Sequence, residues 1–201
     1  MNPFAINEQD ILYLFESAGT EVLINDQAHK AIITNSGFNS ENDERYINTL
    51  NPIRMGDLVS FNDHQYIIIT ESNGKRHAKY RAIMRHCNFT IGFPGEIERV
   101  PVLDENGNPI LDNHGRPIFE EREGDPYFIP AIVDDKYFQV NNQFQMRVAD
   151  NQIMVVVQDN ELNRSKFEVN KRFELMGKEW KVLQDDLTKV GLLILTCERV
   201  V

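Results

Sequence analysis

The sequence predicts a mainly β protein: two similar small β-barrel domains, a short N-terminal helix, and an extended hairpin-like arm between the barrels. Three observations carry this prediction. Short β-rich runs of period two, separated by turn residues, fill most of the chain, as a small barrel or sandwich requires. The runs recur in the same order in both halves. A segment broken by Pro and Gly lies between the halves.

The elements follow in chain order. Asn7 precedes Glu8-Gln9-Asp10, and Ile11, Leu12, Leu14 and Phe15 follow at helical spacing until Gly19, so residues 1–19 hold a helix over 8–18. The first barrel, residues 20–93, draws strands from Glu21–Ile24, Ala31–Thr34, Leu58–Phe61, Gln65–Thr70 and Lys79–Arg85. Asn25-Asp26, Asn35-Ser36-Gly37 and Asn62-Asp63 are its turns.

The second barrel, residues 128–201, repeats this plan. Ala31–Asn35 matches Ala131–Asp135 at an offset of 100, Leu58–Ile69 matches Arg172–Leu183 at 114, and Ala82–Cys87 matches Leu192–Cys197 at 110. Loop lengths differ while element order holds, the mark of a duplication.

Residues 94–127 form the arm. Within it Leu103–Ile110 is followed directly by the similar Leu111–Ile118, with Asn-Gly and His-Gly at the same phase, as hairpin turns require. A segment of this length without a packed element points to an interaction role or to partial disorder.

Composition excludes a wholly disordered or collagen-like chain, since 41% of residues are hydrophobic and 26% charged. The net charge of −10 makes the bulk surface self-repelling and ill suited to nucleic acid or anionic membrane. That charge is uneven: the arm holds nine acids against three arginines, a net −6 that leaves −4 for the rest. Cys87 and Cys197 lie in apolar runs without disulfide or metal spacing, so buried thiols are expected. Met1-Asn2-Pro3-Phe4 has no basic or apolar leader character, and no apolar run approaches the roughly 20 residues of a bilayer span. A reducing, cytosol-like compartment is the expectation.

The residue types of enzymes are present without their arrangements, so neither a catalytic residue nor a cofactor nor a metal is expected. No Gly-rich phosphate loop and no Gly-x-Ser-x-Gly elbow occurs. His29, His64, His77, His86 and His114 are scattered, and His86-Cys87 lacks partners for a four-ligand zinc. Asp104-x-Asn106-Gly107 places its Gly too early for a calcium loop.

Two charge clusters remain as candidate subunit-interaction sites. Lys79, Arg81 and Arg85 share one face of a strand by alternation, with Lys75 and Arg76 just before it and Tyr80 opposite. Such a face either touches DNA phosphate or an acidic partner, or is simply a solvated outer sheet face. The arm offers Asp104, Glu105, Asp112, Glu120, Glu121 and Glu123. An acidic arm and a basic strand on one chain lead to the hypothesis that the arm reaches a neighbouring copy.

The string from Met55-Gly56-Asp57-Leu58 through Tyr66-Ile67-Ile68-Ile69 resembles a signature of small head–tail connector proteins of tailed bacteriophages, the stopper or head-completion proteins. So does Asn170 to Leu183 followed by Gly191–Leu195. Asn62-Asp63 stands where that family has a turn Gly, Met176-Gly177 keeps it, and Asn170-Lys171 replaces the Gly-Asp pair. The helix followed by Gly19-Thr20-Glu21-Val22 is similar to the start of lambda-type head–tail joining proteins. The resemblance implies a ring-forming virion protein, not an enzyme, assembled in the host cytoplasm. It would form a homo-oligomeric ring in the neck, with a portal or adaptor protein above and a tail protein below. There it would close the channel through which double-stranded DNA passes without sequence-specific binding, with no membrane involved.

Two other readings stand beside this one. A tail-terminator or baseplate adaptor would share small barrels and long arms. A small-ligand or metal-binding β-barrel protein would line a pocket with Tyr66, Trp180 and His86. For Trp180, Tyr66, Phe61 and Leu175 the expectation is core packing, and a hydrolase has no assembled nucleophile.

Overall fold

The computed structural model describes residues 8–36, 43–75, 79–134, 139–140, 144–145 and 151–200. Residues 1–4, Asn7, Gly37, Arg76, His77 and Asp135, which entered the readings above, lie outside the described residues. By internal contacts the chain divides into one unit of Met1–Thr90 with Pro130–Val201, and a second of Ile91–Ile129. It is a mainly β protein with two barrel-like sheets and a short N-terminal helix.

Helix α1 (Glu8–Ala18) ends where the Gly19 amide donates to the Phe15 carbonyl at 3.0 Å. Ile11 and Phe15, four apart, are its buried pair. Leu12 and Leu14, read with them as one apolar face, are exposed instead.

The first sheet contains β1 (Thr20–Ile24), β2 (Gln27–Asn35), β3 (Glu44–Thr49), β4 (Leu58–Phe61), β5 (His64–Ile68), β6 (Asn73–Lys75) and β7 (Lys79–His86). The order β3-β2-β1-β4-β5-β7 closes on itself because β7 also pairs with β3, and β6 lies beside the start of β7. Asn25-Asp26 and Asn62-Asp63 form two-residue hairpin turns with all four φ between 48° and 63°. Asn and Asp are the non-glycine residues that tolerate this left-handed region best. Alternate residues, among them Ala31, Ile47, Val59, Tyr66, Ile68 and Met84, fill the interior.

The chain continues through β8 (Phe89–Phe93), β9 (Ile97–Pro101), β10 (Phe119–Glu123), β11 (Tyr127–Asp134), β12 (Gln139–Val140), β13 (Phe144–Gln145) and β14 (Gln152–Gln158). Helix α2 (Glu161–Lys166) and strands β15 (Arg172–Leu175), β16 (Lys178–Asp186) and β17 (Leu192–Arg199) complete it. The second large sheet has the order β15-β16-β17-β14-β11-β8. Going round the first sheet from β4 gives β4-β5-β7-β3-β2-β1, so both sheets place successive strands of the chain in the same order. The arm occupies the connection between β8 and β11, which in the first half is the two-residue turn Asn25-Asp26.

Ladder registers refine the duplication. Ile33 opposite Ile47 corresponds to Val133 opposite Val155, and Val59 opposite Tyr66 to Phe173 opposite Trp180. These agree with the first two sequence matches. The third is corrected: Ile47 faces Ala82 while Val155 faces Leu195, and Ile68 faces Met84 while Val182 faces Cys197. The match therefore slides by three residues, and Cys87 is not the counterpart of Cys197. An odd slip exchanges the two faces of a strand, so only the ladder places Ala82 with Leu195 and Met84 with Cys197, all buried. Strands β3, β6, β8, β12, β13 and β14 and helix α2 were not picked out by the turn pattern, and β8, read as the end of the first barrel at residues 20–93, pairs in the second sheet instead.

The two sheets meet through their outer faces. Ile67 and Ile69 of the first half form one buried cluster with Ile132, Met154, Val156, Leu192 and Ile194 of the second. At one edge of this seam Gly56 and Gly191 face each other, with φ of +90° and +89°. A Cβ on Gly56 would lie 1.9 Å from the Gly191 carbonyl oxygen, and one on Gly191 would lie 2.0 Å from that of Met55. Beside them the Asp57 carboxylate accepts from the Arg54 amide at 2.7 Å and from Asn25 Nδ2 at 2.8 Å. Asn25 Oδ1 in turn accepts from Gln158 Nε2 of the second half at 2.9 Å. The Gly-Asp pair of the connector-like signature is thus a clamp between the halves. No described helix is long and apolar enough to cross a membrane.

Gly56→Ala combines a disfavoured φ with a backbone clash and is expected to cost about 2–4 kcal/mol in urea denaturation. The opposite sign is expected at Met176, an exposed turn residue held at φ +55°. Met176→Asn should stabilise the chain by about 1 kcal/mol in the same measurement.

Candidate functional site

The basic strand does not present the cationic face that alternation allows. Lys79, Arg81 and Arg85 do share one side of β7, but that side also carries Ile83, which packs on the seam between the sheets. Arg85 is buried: Nε donates to Glu44 Oε1 at 2.9 Å and Nη1 to Asp134 Oδ2 at 3.4 Å. Its charge is neutralised internally, by one carboxylate from each half. The Arg81 guanidinium lies 3.8 Å from the centre of the Tyr46 ring, a cation–π contact, and its buried Nε has no hydrogen-bond partner among the described residues. Lys79 is half-buried opposite Lys75.

A second polar group gathers at one end of the first sheet. Tyr66 donates to Asp43 Oδ2 at 3.3 Å, and Arg45 Nε donates to Asp43 Oδ1 at 3.0 Å. The Arg45 guanidinium also lies 5.2 Å from the Tyr66 ring and 5.7 Å from Phe61. His86 meets Tyr66 at 5.3 Å and His64 at 5.1 Å, edge to face. Desolvation raises Asp43, but the Arg45 bond and charge, the Tyr66 hydroxyl and His86 hold it below the ordinary carboxylate value. Burial, followed by the Asp43 charge, pushes Tyr66 up.

Beside this group a cavity of about 380 Å³ is lined by Ser60, Asp63, His64, Gln65, His86, Cys87 and Thr90. Burial pushes the Cys87 thiol up to about 12, so it is protonated and weakly nucleophilic at neutral pH. Among the described residues no group of three His, Cys, Asp or Glu is placed to hold a metal ion. Neither Tyr66 nor Trp180 lines this cavity with His86. Tyr66 is 0% exposed in the first core, and Trp180 fills the second, with its Nε1 donating to the Leu175 carbonyl at 3.1 Å.

The arm, taken by itself, is a two-stranded ribbon with two lobes. β9 and β10 pair from Ile97 opposite Glu123 to Pro101 opposite Phe119. Each lobe is a tight turn held by an aspartate. Asp104 Oδ1 accepts from the amides of Asn106 and Asn108, and Asp112 Oδ1 from those of His114 and Arg116. The bonds from Asn108, partly opposed by desolvation, lead in holding the Asp104 carboxyl below its ordinary value. Val102 donates to Ile118, Ile110 to Val102 and Ile118 to Ile110, a cycle of three backbone bonds that ties ribbon and lobes together.

The six arm acids therefore divide. Asp104 and Asp112 build the turns, whereas Glu105, Glu120, Glu121 and Glu123 are exposed, with Glu121 reaching Arg99 at 3.4 Å. The charge count overlooked the apolar complement of the same segment. Ile97 is 69% exposed and Phe119 56%, with Leu103 and Leu111 also exposed at equivalent places in the two lobes. Their signal was present in the tandem repeat, in which Leu opens each unit. A ribbon of two strands buries little of its own apolar surface, so these side chains are available to a partner.

The model of the YomX N-terminal domain matches residues 2–86, and that of the YomX C-terminal domain matches residues 86–198. Their junction, His86, is the last residue of β7, after which the strand order begins again. No curated protein and no solved structure matches the chain.

Replacing Arg85 by Met removes the buried cation that bridges Glu44 and Asp134 and should cost about 3–5 kcal/mol. Neutralising those acids as well, with Glu44→Gln and Asp134→Asn, should restore part of that loss in urea titrations. Because the Asp43 value is depressed, its contribution is present above the unfolded value of about 3.9 and is lost as pH falls through the folded one. Asp43→Asn should therefore flatten the acid limb of the stability–pH curve below about pH 4, measured by thermal melts.

Proposed function

The chain belongs to the YomX family, a phage-associated family, and from that premise we propose that it is a structural subunit of the phage neck. In this reading it forms a homo-oligomeric ring below the portal, closes the DNA channel after packaging and docks the tail. It is a virion component without catalytic residues, cofactor or membrane contact, assembled in the host cytoplasm.

The observation that carries the reading is the arm: a long acidic insertion whose Ile97, Phe119, Leu103 and Leu111 stand uncovered by their own unit. An insertion of this kind in a small barrel serves contacts with other molecules. Net negative charge also suits a ring that duplex DNA must traverse, because like charge prevents the duplex from sticking. The protonated Cys87 thiol and the aromatic–cation stacking around Tyr66 favour a structural role for the polar end of the first sheet over a catalytic one.

Mass photometry and negative-stain microscopy of the full chain, alone and with a phage portal protein, test this reading. Annular particles, or a stable stoichiometric complex with the portal, are the expected result. A chain that stays monomeric and ignores the portal overturns it.

A further inference from the structure

The second sheet differs from the first at one strand. In the first half β4 pairs on both sides, with β5 and with β1. Its counterpart β15 pairs, among the described residues, with β16 alone. The hairpin of β15 and β16 turns through Met176-Gly177, so Leu175 and Lys178 form the first hydrogen-bonded pair and Phe173 and Trp180 the next. The amides and carbonyls of Arg172 and Glu174 then point outward along a free edge.

The arm has a matching edge. The Gly124 amide donates to Glu96 and Val102 to Ile118, which fixes the phase of the ribbon's bonds. Phe119, Glu121 and Glu123 consequently direct their amides and carbonyls away from β9. The opposite edge of the ribbon, on β9, includes Pro101, which has no amide to offer. β10 is thus the better edge for adding a strand. It is also acidic, whereas the β15 edge carries exposed Lys171, Arg172 and Lys178 beside Glu174, with Arg172 3.2 Å from Glu179 and Lys171 3.0 Å from Glu168 on the same chain.

Resting on the reading of this chain as a ring subunit, we propose that strand β10 of one copy adds to the free edge of β15 in a second copy. The contact is head-to-tail, a different surface on each subunit, and contacts of that kind close into rings when their rotation permits. Backbone bonds give the pairing its affinity, and its direction is set by exchange of two exposed ion pairs, Glu121 leaving Arg99 and Arg172 leaving Glu179 to meet each other.

The test uses the full chain. Glu121→Pro removes one outward amide and no bond to β9, so the ribbon survives while strand addition is blocked. The proposal expects wild-type multimers and a Glu121→Pro chain of monomer mass with an unchanged circular dichroism spectrum. It further expects Glu121→Lys and Arg172→Glu each to lower the multimer fraction at least tenfold, and the two together to restore it. Multimers that persist in Glu121→Pro and in both charge variants overturn the strand pairing and leave the ring reading standing. A wild-type chain that is monomeric alone and with the portal overturns both.

Discussion

The fold depends on the apolar seam where the outer face of one sheet packs on the outer face of the other. Strands β5, β11, β14 and β17 are therefore buried on both sides, which is why Ile67-Ile68-Ile69, Val155-Val156-Val157 and Leu192-Leu193-Ile194-Leu195 are continuous apolar runs. Burial of this kind stabilises at roughly 25 cal/mol for each Å² of apolar surface removed from water. The rim of the seam holds the polar devices that fix its geometry: Arg85 between Glu44 and Asp134, and Gly56 against Gly191.

That seam also explains the fate of the basic strand. β7 contributes Ile83 to the junction, so whatever shares its outer side is drawn toward the second half. A charge so placed must be paired, and Arg85 is. The arm has no such obligation. It replaces a two-residue turn, keeps its own hydrogen bonds through two Asp-anchored lobes, and leaves both acids and apolar side chains exposed. Stability is concentrated in the duplicated sheets, and surface for recognition in the insertion between β8 and β11.

Much of the fold was legible because its signals are local. The Asn25-Asp26 and Asn62-Asp63 turns adopt the left-handed backbone their residue types favour, and the α1 bounds follow its spacing and closing glycine. The duplication was legible in element order. Its third register was not, since matching Cys87 to Cys197 ignores the ladder that decides which residues face inward. Strand β3 escaped because its alternation, Tyr46-Ile47-Asn48-Thr49, includes a half-buried Asn and a buried Thr inside a closed sheet. Of the candidate interaction residues, the exposed arm glutamates fit a surface role, whereas Asp104, Asp112 and Arg85 serve the chain itself.

The sequence by itself determined the β class, the two related halves, the helix at the start and an acidic arm of net −6, because period, turn chemistry and charge are properties of short stretches. Only the tertiary structure decided that Arg85 is neutralised inside, that Gly56 and Gly191 clamp the halves, and that β15 pairs on one side alone among the described residues where β4 is paired on both. The physical reason is distance along the chain: Arg85 meets Asp134 across 49 positions and Asn25 meets Gln158 across 133. Such pairings depend on where two sheets come to rest, and no local pattern specifies that.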